Sequence, residues 1–161
     1  MIYTLVGLLI LLGIWYFFLR SPKPKIMPLE VDKDDPTMIA AIKNAKNSLD
    51  EFKKSLNQYP KEGHVKVPFS TSSGETEFLW GDVTKLINND LDVFLTTPPV
   101  THEGKMDRNV KYDLNDIVDW TVTVPKEKIK GGFTMKAMFK IYEEKYGELP
   151  EILRKEKNLY E

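Results

Sequence analysis

The chain has 161 residues, with 23 basic side chains against 24 acidic ones and a formal net charge of −1 at pH 7. That balance excludes the net basic field behind nonspecific nucleic-acid binding, so DNA and RNA are not expected partners. There is no cysteine, which agrees with any redox compartment and removes thiolate metal sites.

The first element is an unbroken apolar run, Ile2 to Leu19, followed at once by Arg20, Lys23 and Lys25. At about 1.5 Å per residue it spans roughly 27 Å, close to the roughly 30 Å hydrocarbon core of a bilayer. A cleavable secretory signal would want a basic segment before the run and a small-residue cleavage site after it, and neither is visible. A buried core helix would need a larger, less charged surround than this chain supplies. Residues 1–20 are therefore expected to form a single transmembrane anchor, with the bilayer as partner through Ile2 to Leu19. Trp15, Tyr16, Phe17 and Phe18 fall where aromatic rings favour the headgroup region. The basic residues after the run place the remaining chain in the cytoplasm by the positive-inside rule; an exported domain is the alternative orientation.

Residues 21–33 read as a tether. Pro22, Pro24 and Pro28, with alternating charge and little apolar periodicity, favour extended backbone that holds the domain off the membrane. Residues 34–161 make one ordinary domain without internal repeats. Asp34-Asp35-Pro36 is a helix start, since an aspartate can accept from first-turn amides and proline is tolerated at the first helical position. Met38, Ile39, Ile42, Ala45, Leu49, Phe52 and Leu56 then recur at helical spacing, predicting one helix that ends before Tyr59-Pro60.

From His64 the period becomes two. Val65, Val67 and Phe69 mark a first strand, and Glu77 to Val83 a second after the Ser72-Ser73-Gly74 turn. Leu91 to Thr97 forms a third, Val110 to Leu114 a fourth and Trp120 to Val124 a fifth. Short connections favour an antiparallel meander. Pro98-Pro99 ends the third strand, and Thr101 to Asn109 is a polar loop. After Gly131-Gly132, with Thr134 as the expected cap, Met135, Met138, Phe139, Ile141 and Tyr142 line a helix that stops at Gly147. A short charged helix, Glu151 to Tyr160, follows. The expected architecture is α+β: an N-terminal helix, a twisted antiparallel sheet of about five strands and C-terminal helices, behind one transmembrane helix.

Asp35-Pro36-x-Met38, Phe69 through Ser73-Gly74-Glu75-x-Glu77-x-x-Trp80-Gly81, Pro98-Pro99-Val100, Asp116-Ile117-x-Asp119-Trp120 and Gly131-Gly132-Phe133-Thr134 together resemble the bacterial family termed domain of unknown function 2314. The resemblance runs from Asp34 to about Tyr146. It implies a small α+β domain, carried in this family on secreted, anchored or cytoplasmic chains, and it implies no particular activity. The anchor is not a family-wide feature.

His64 and His102 are the only histidines, and neither has the spacing of a metal site, so no metal or cofactor is expected. His102-Glu103 reads as a solvated pair. Ser70, Ser72 and Ser73 lack a nucleophile elbow. Trp120 could be an exposed aromatic platform with Asp119 as acceptor, but the simpler reading makes Trp120 a core ring and Asp119 a turn residue bonded to nearby backbone. Trp80, on the same face as Phe78, reads as core too. Gly131, Gly132 and Thr134, with Lys128, Lys130 and Lys136 nearby, have the ingredients of an anion site at a helix N-terminus. A turn and a helix cap explain the same residues.

Two function classes follow. One is a membrane-tethered, non-enzymatic interaction module that binds another protein at the cytoplasmic face. The other is an enzyme of unrecognised type, in which Asp119, Thr134 and one histidine converge in a cleft near the Gly131-Thr134 turn.

Overall fold

The computed structural model of the protein describes Met27, Leu29, Val31, Asp32 and residues 34–161. The expected anchor and most of the tether lie outside the described residues. Among the described residues, no helix is long and apolar enough to cross a membrane.

The Asp35 carboxylate caps α1 (Pro36–Asn47), accepting from the amides of Thr37 at 2.8 Å and Met38 at 3.0 Å, with Pro36 opening the helix. The single helix expected from the periodicity is in fact two, α1 and α2 (Leu49–Gln58), broken at Ser48. Ser48 Oγ donates back to the Ala45 carbonyl at 2.9 Å, the competition by which serine disturbs a helix interior. The break also gives the buried indole N–H of Trp120 two acceptors, Ala45 O at 3.2 Å and Ser48 Oγ at 3.1 Å. That requirement comes from a residue 72 positions away, beyond the reach of local periodicity.

Six strands form one antiparallel sheet: β1 (Gly63–Ser70), β2 (Thr76–Ile87), β3 (Asp90–Leu95), β4 (Asn109–Asp113), β5 (Asp119–Val122) and β6 (Lys130–Gly131). The spatial order is β4-β3-β2-β1-β5-β6, so the expected meander holds only for the first four. After β4 the chain crosses through a 3-10 turn, Leu114–Asp116, and joins the sheet beside β1, where the Val118 amide donates to Lys66 O at 2.8 Å. The crossing buries Leu114 and Ile117 in the core and covers the free edge of β1, which a continued meander would leave unpaired. The sixth strand was not expected, because two residues cannot display alternation. Its pairing is Thr121 with Gly131 and Val122 with Lys130. The chain end runs beside it: Ile129 N donates to Leu159 O at 2.7 Å, and Glu161 N to Ile129 O at 3.1 Å.

One face of the sheet carries the core. Val65, Val67, Leu79, Val83, Leu91, Val93, Leu95, Trp120 and Val122 pack with Ala45, Phe52 and Leu56 from α1 and α2. Trp120 is at the centre, its ring 5.3 Å from Phe52 and 5.9 Å from Phe133. The opposite face is open around β2, where Phe78 is 50% exposed and Trp80 half-buried. The placement of Trp80 in the core is thus corrected: Phe78 and Trp80 do share a face, but Leu79 and Val83 face inward instead. Alternation says which residues go together and leaves open which set is covered.

Two helices follow the sheet, α3 (Phe133–Tyr146) and α4 (Glu151–Lys157). Phe139, Tyr142 and Leu149 form a second, smaller core with Met135, Leu153 and Tyr160. Part of the tether belongs to it: Leu29 packs into this cluster, and the Met27 amide donates to Tyr142 Oη at 3.2 Å. At these residues the tether is docked on the domain, where a free spacer was expected.

Candidate functional site

Asp119 opens β5 and is fully buried, yet each of its carboxylate oxygens takes two donors. Oδ1 accepts from the amides of Trp120 at 2.8 Å and Phe133 at 3.1 Å; Oδ2 accepts from the amide and the hydroxyl of Thr134, each at 2.7 Å. Burial pushes the carboxyl above its usual range, and the bonds from Thr134, Trp120 and Phe133 pull it back. The N-cap position of α3 is Gly132, whose backbone supplies no side chain, so Asp119 caps the helix from a neighbouring strand. This corrects two expectations. Thr134 lies inside the helix as a donor to Asp119, and Asp119 does more than close a local turn.

The backbone that permits this arrangement is the glycine pair, with φ of +78° at Gly131 and +66° at Gly132. A Cβ on Gly131 would run into the carbonyl oxygen of Trp120 and come within 2.7 Å of its ring. One on Gly132 would meet the ring of Tyr160, a side chain that can move. Gly131→Ala is therefore expected to cost about 2–3 kcal/mol and Gly132→Ala about 1–2, since both force a left-handed residue but only the first collides with backbone. Thr134→Ser should be nearly neutral and Thr134→Ala should cost about 1 kcal/mol. Urea melts of the four variants check this order.

The structure brings Asp119, Gly131, Gly132 and Thr134 together, with Lys130 in the adjoining β6. The amides of Phe133 and Thr134 are occupied by the chain's own carboxylate. Lys136 sets its ammonium 4.9 Å from the centre of the Phe133 ring, and Lys128 is exposed. The histidines go elsewhere. His64 Nδ1 lies 2.8 Å from Asp82 Oδ1 on β2, and His102 Nδ1 accepts from the Ser72 amide at 3.2 Å.

His102 belongs to a clasp between the β3–β4 loop and the β1–β2 hairpin, its ring edge-on to Phe69 at 5.5 Å. Glu77 closes the clasp, accepting from the amides of Val100 at 2.8 Å and Thr101 at 2.7 Å and from the Thr101 hydroxyl at 2.6 Å. The Thr101 hydroxyl and the two amides hold the Glu77 carboxyl below its usual range. A depressed carboxyl contributes fully above its unfolded value and loses that contribution as pH falls through the folded one. The protection of the Val100 and Thr101 amides relative to their intrinsic exchange rates should therefore be greatest at neutral pH and fall as pH drops below about 4, the ordinary glutamate value.

The open face offers the other arrangement. Lys66 on β1 stands between Trp80 on β2 and Asp119 on β5 as the cross-strand partner of both. Burial pushes its ammonium below the usual lysine range, against the attraction of the Asp119 charge. Next along the face come His64 paired with Asp82, and Phe94 on β3 beneath the Arg108 guanidinium at 4.7 Å. Phe78, Trp80, Lys66 and Phe94 thus form an aromatic and cationic surface. Sequence reasoning passed over Lys66, whose only signal is its place between two inward-facing valines.

Among the described residues, no group of three or more histidine or acidic side chains is placed to hold a metal ion. A family model described as "Uncharacterized protein conserved in bacteria (DUF2314)" matches residues 35–147. No curated protein and no solved structure matches the chain.

Proposed function

The chain belongs to the DUF2314 family of uncharacterised proteins conserved in bacteria, and from that premise we propose that it is a binding module tethered to the cytoplasmic face of the membrane. Its site is the open sheet face around Trp80, and its partner is another protein. One observation carries the reading: Phe78 is 50% exposed beside a half-buried Trp80, a concentration of aromatic surface of the kind that interfaces favour. Lys66 and Arg108 supply charge at its centre and rim. The buried acid, Asp119, is spent on holding β5 to α3 and is sealed from solvent, which weighs against the catalytic alternative.

Photocrosslinking in intact cells tests the site, with a photoreactive residue at Phe78 in the full chain. A discrete crosslinked protein that disappears on Trp80→Ala, with the domain still folded, supports the reading. Undiminished crosslinking in Trp80→Ala overturns the assignment to this face. Orientation is tested separately: protease added outside intact cells should leave the domain uncut, and cleavage would mean an exported domain.

A further inference from the structure

We propose that the domain rests on the bilayer headgroups through the surface formed by Met27 and α4. This rests on the membrane-anchor reading and extends it from tethering to a defined orientation.

The first support is the place of Met27 on the domain. Met27 is held against α3 by the hydrogen bond its amide donates to Tyr142 Oη, and it lines one cavity of about 270 Å³ with Leu29, Met138, Leu153 and Glu156. From Leu19, the last apolar residue of the run, to Met27 is eight residues, at most about 29 Å of chain. A domain of this size has a radius of gyration of about 14 Å and a width of roughly 36 Å, so the tether is shorter than the domain is wide. Met27 therefore cannot lie at the pole of the domain farthest from the membrane. Arg20, Lys23 and Lys25 lie in this stretch of sequence, and cations beside a membrane span are attracted to anionic headgroups.

The second support is what that side presents. Met27 is 43% exposed, and Ile152, beside the cavity-lining Leu153 on α4, is 55% exposed; Leu159 just beyond α4 is exposed as well. The charges on α4 are Glu151, paired with Lys155 at 2.7 Å, then Arg154, Glu156, and Lys157, which binds Glu143 at 2.8 Å. Glu148 and Glu161 flank the segment, so the exposed apolar side chains sit in a fringe of mixed charge, part of it paired, as at a membrane interface.

The absence of cysteine allows a direct measurement on the full chain. Ile152→Cys and Val100→Cys are each labelled with a fluorophore and reconstituted into phosphatidylglycerol-containing vesicles that carry a headgroup quencher. Val100 is 90% exposed and follows β3, four strand spacings or about 19 Å from the β6 edge where the chain end lies. The expected result is quenching several-fold stronger at Ile152→Cys than at Val100→Cys. Equal quenching in chains that float with the vesicles and resist carbonate extraction overturns this orientation alone. Failure to float, or release by carbonate, overturns the anchor reading and this inference with it.

Discussion

Asp119→Ala should destabilise the domain by about 3–5 kcal/mol, measured by urea unfolding at neutral pH. The substitution removes one acceptor group serving four donors, three of them backbone amides, in a place that solvent does not reach. Unsatisfied buried donors cost about 1–3 kcal/mol each when nothing replaces the partner, and helix caps contribute about 1 kcal/mol. Full additivity is not expected, because α3 can unwind its first turn and hydrate part of the set. Asp119→Asn separates geometry from charge. It keeps one carbonyl oxygen but turns an NH₂ toward either Thr134 or the Trp120 and Phe133 amides, so it should lose about 2–3 kcal/mol. A near-neutral Asp119→Asn would mean that Asp119 matters for something other than holding β5 to α3.

Trp120→Ala should also cost about 3–5 kcal/mol, whereas Trp80→Ala should cost about 1 kcal/mol or less. The two residues are chemically identical and both lie on strands, so the contrast isolates environment. Trp120 is fully buried, touches Phe52 and Phe133, and sends its N–H into the α1–α2 break. Its removal opens a cavity and frees the Ser48 corner. Trp80 lies half-buried on the open face, where water can refill the space. If Trp80→Ala proved as damaging as Trp120→Ala, the open face would be part of the core and the proposed site would lose its basis.

Much of the fold could be read along the chain. Asp35 and Pro36 are local helix-start signals, and the structure uses them in that way. The alternation at Val65, Val67, Trp120 and Val122 located strands whose inward set is the observed one. Gly131-Gly132 marked a backbone needing positive φ, and both residues adopt it. These features share a cause: each depends on the conformational preferences of a few adjacent residues, which a sequence displays directly.

The rest required distant partners. Nothing near Ser48 announces that a tryptophan from β5 will donate into the helix there. Nothing near Asp119 announces that its acceptors will be used by amides 14 and 15 residues later. Trp80 and Trp120 look alike in sequence, and only the position of α1 and α2 over one side of the sheet makes one a core ring and the other a surface. Family membership, the strand and helix starts and the glycine turn were determined by the sequence itself. The joining of β5 to β1, the broken helix and the open aromatic face were decided by tertiary structure, because burial belongs to the side of the sheet that the helices cover, and period-two alternation is the same whichever side that is.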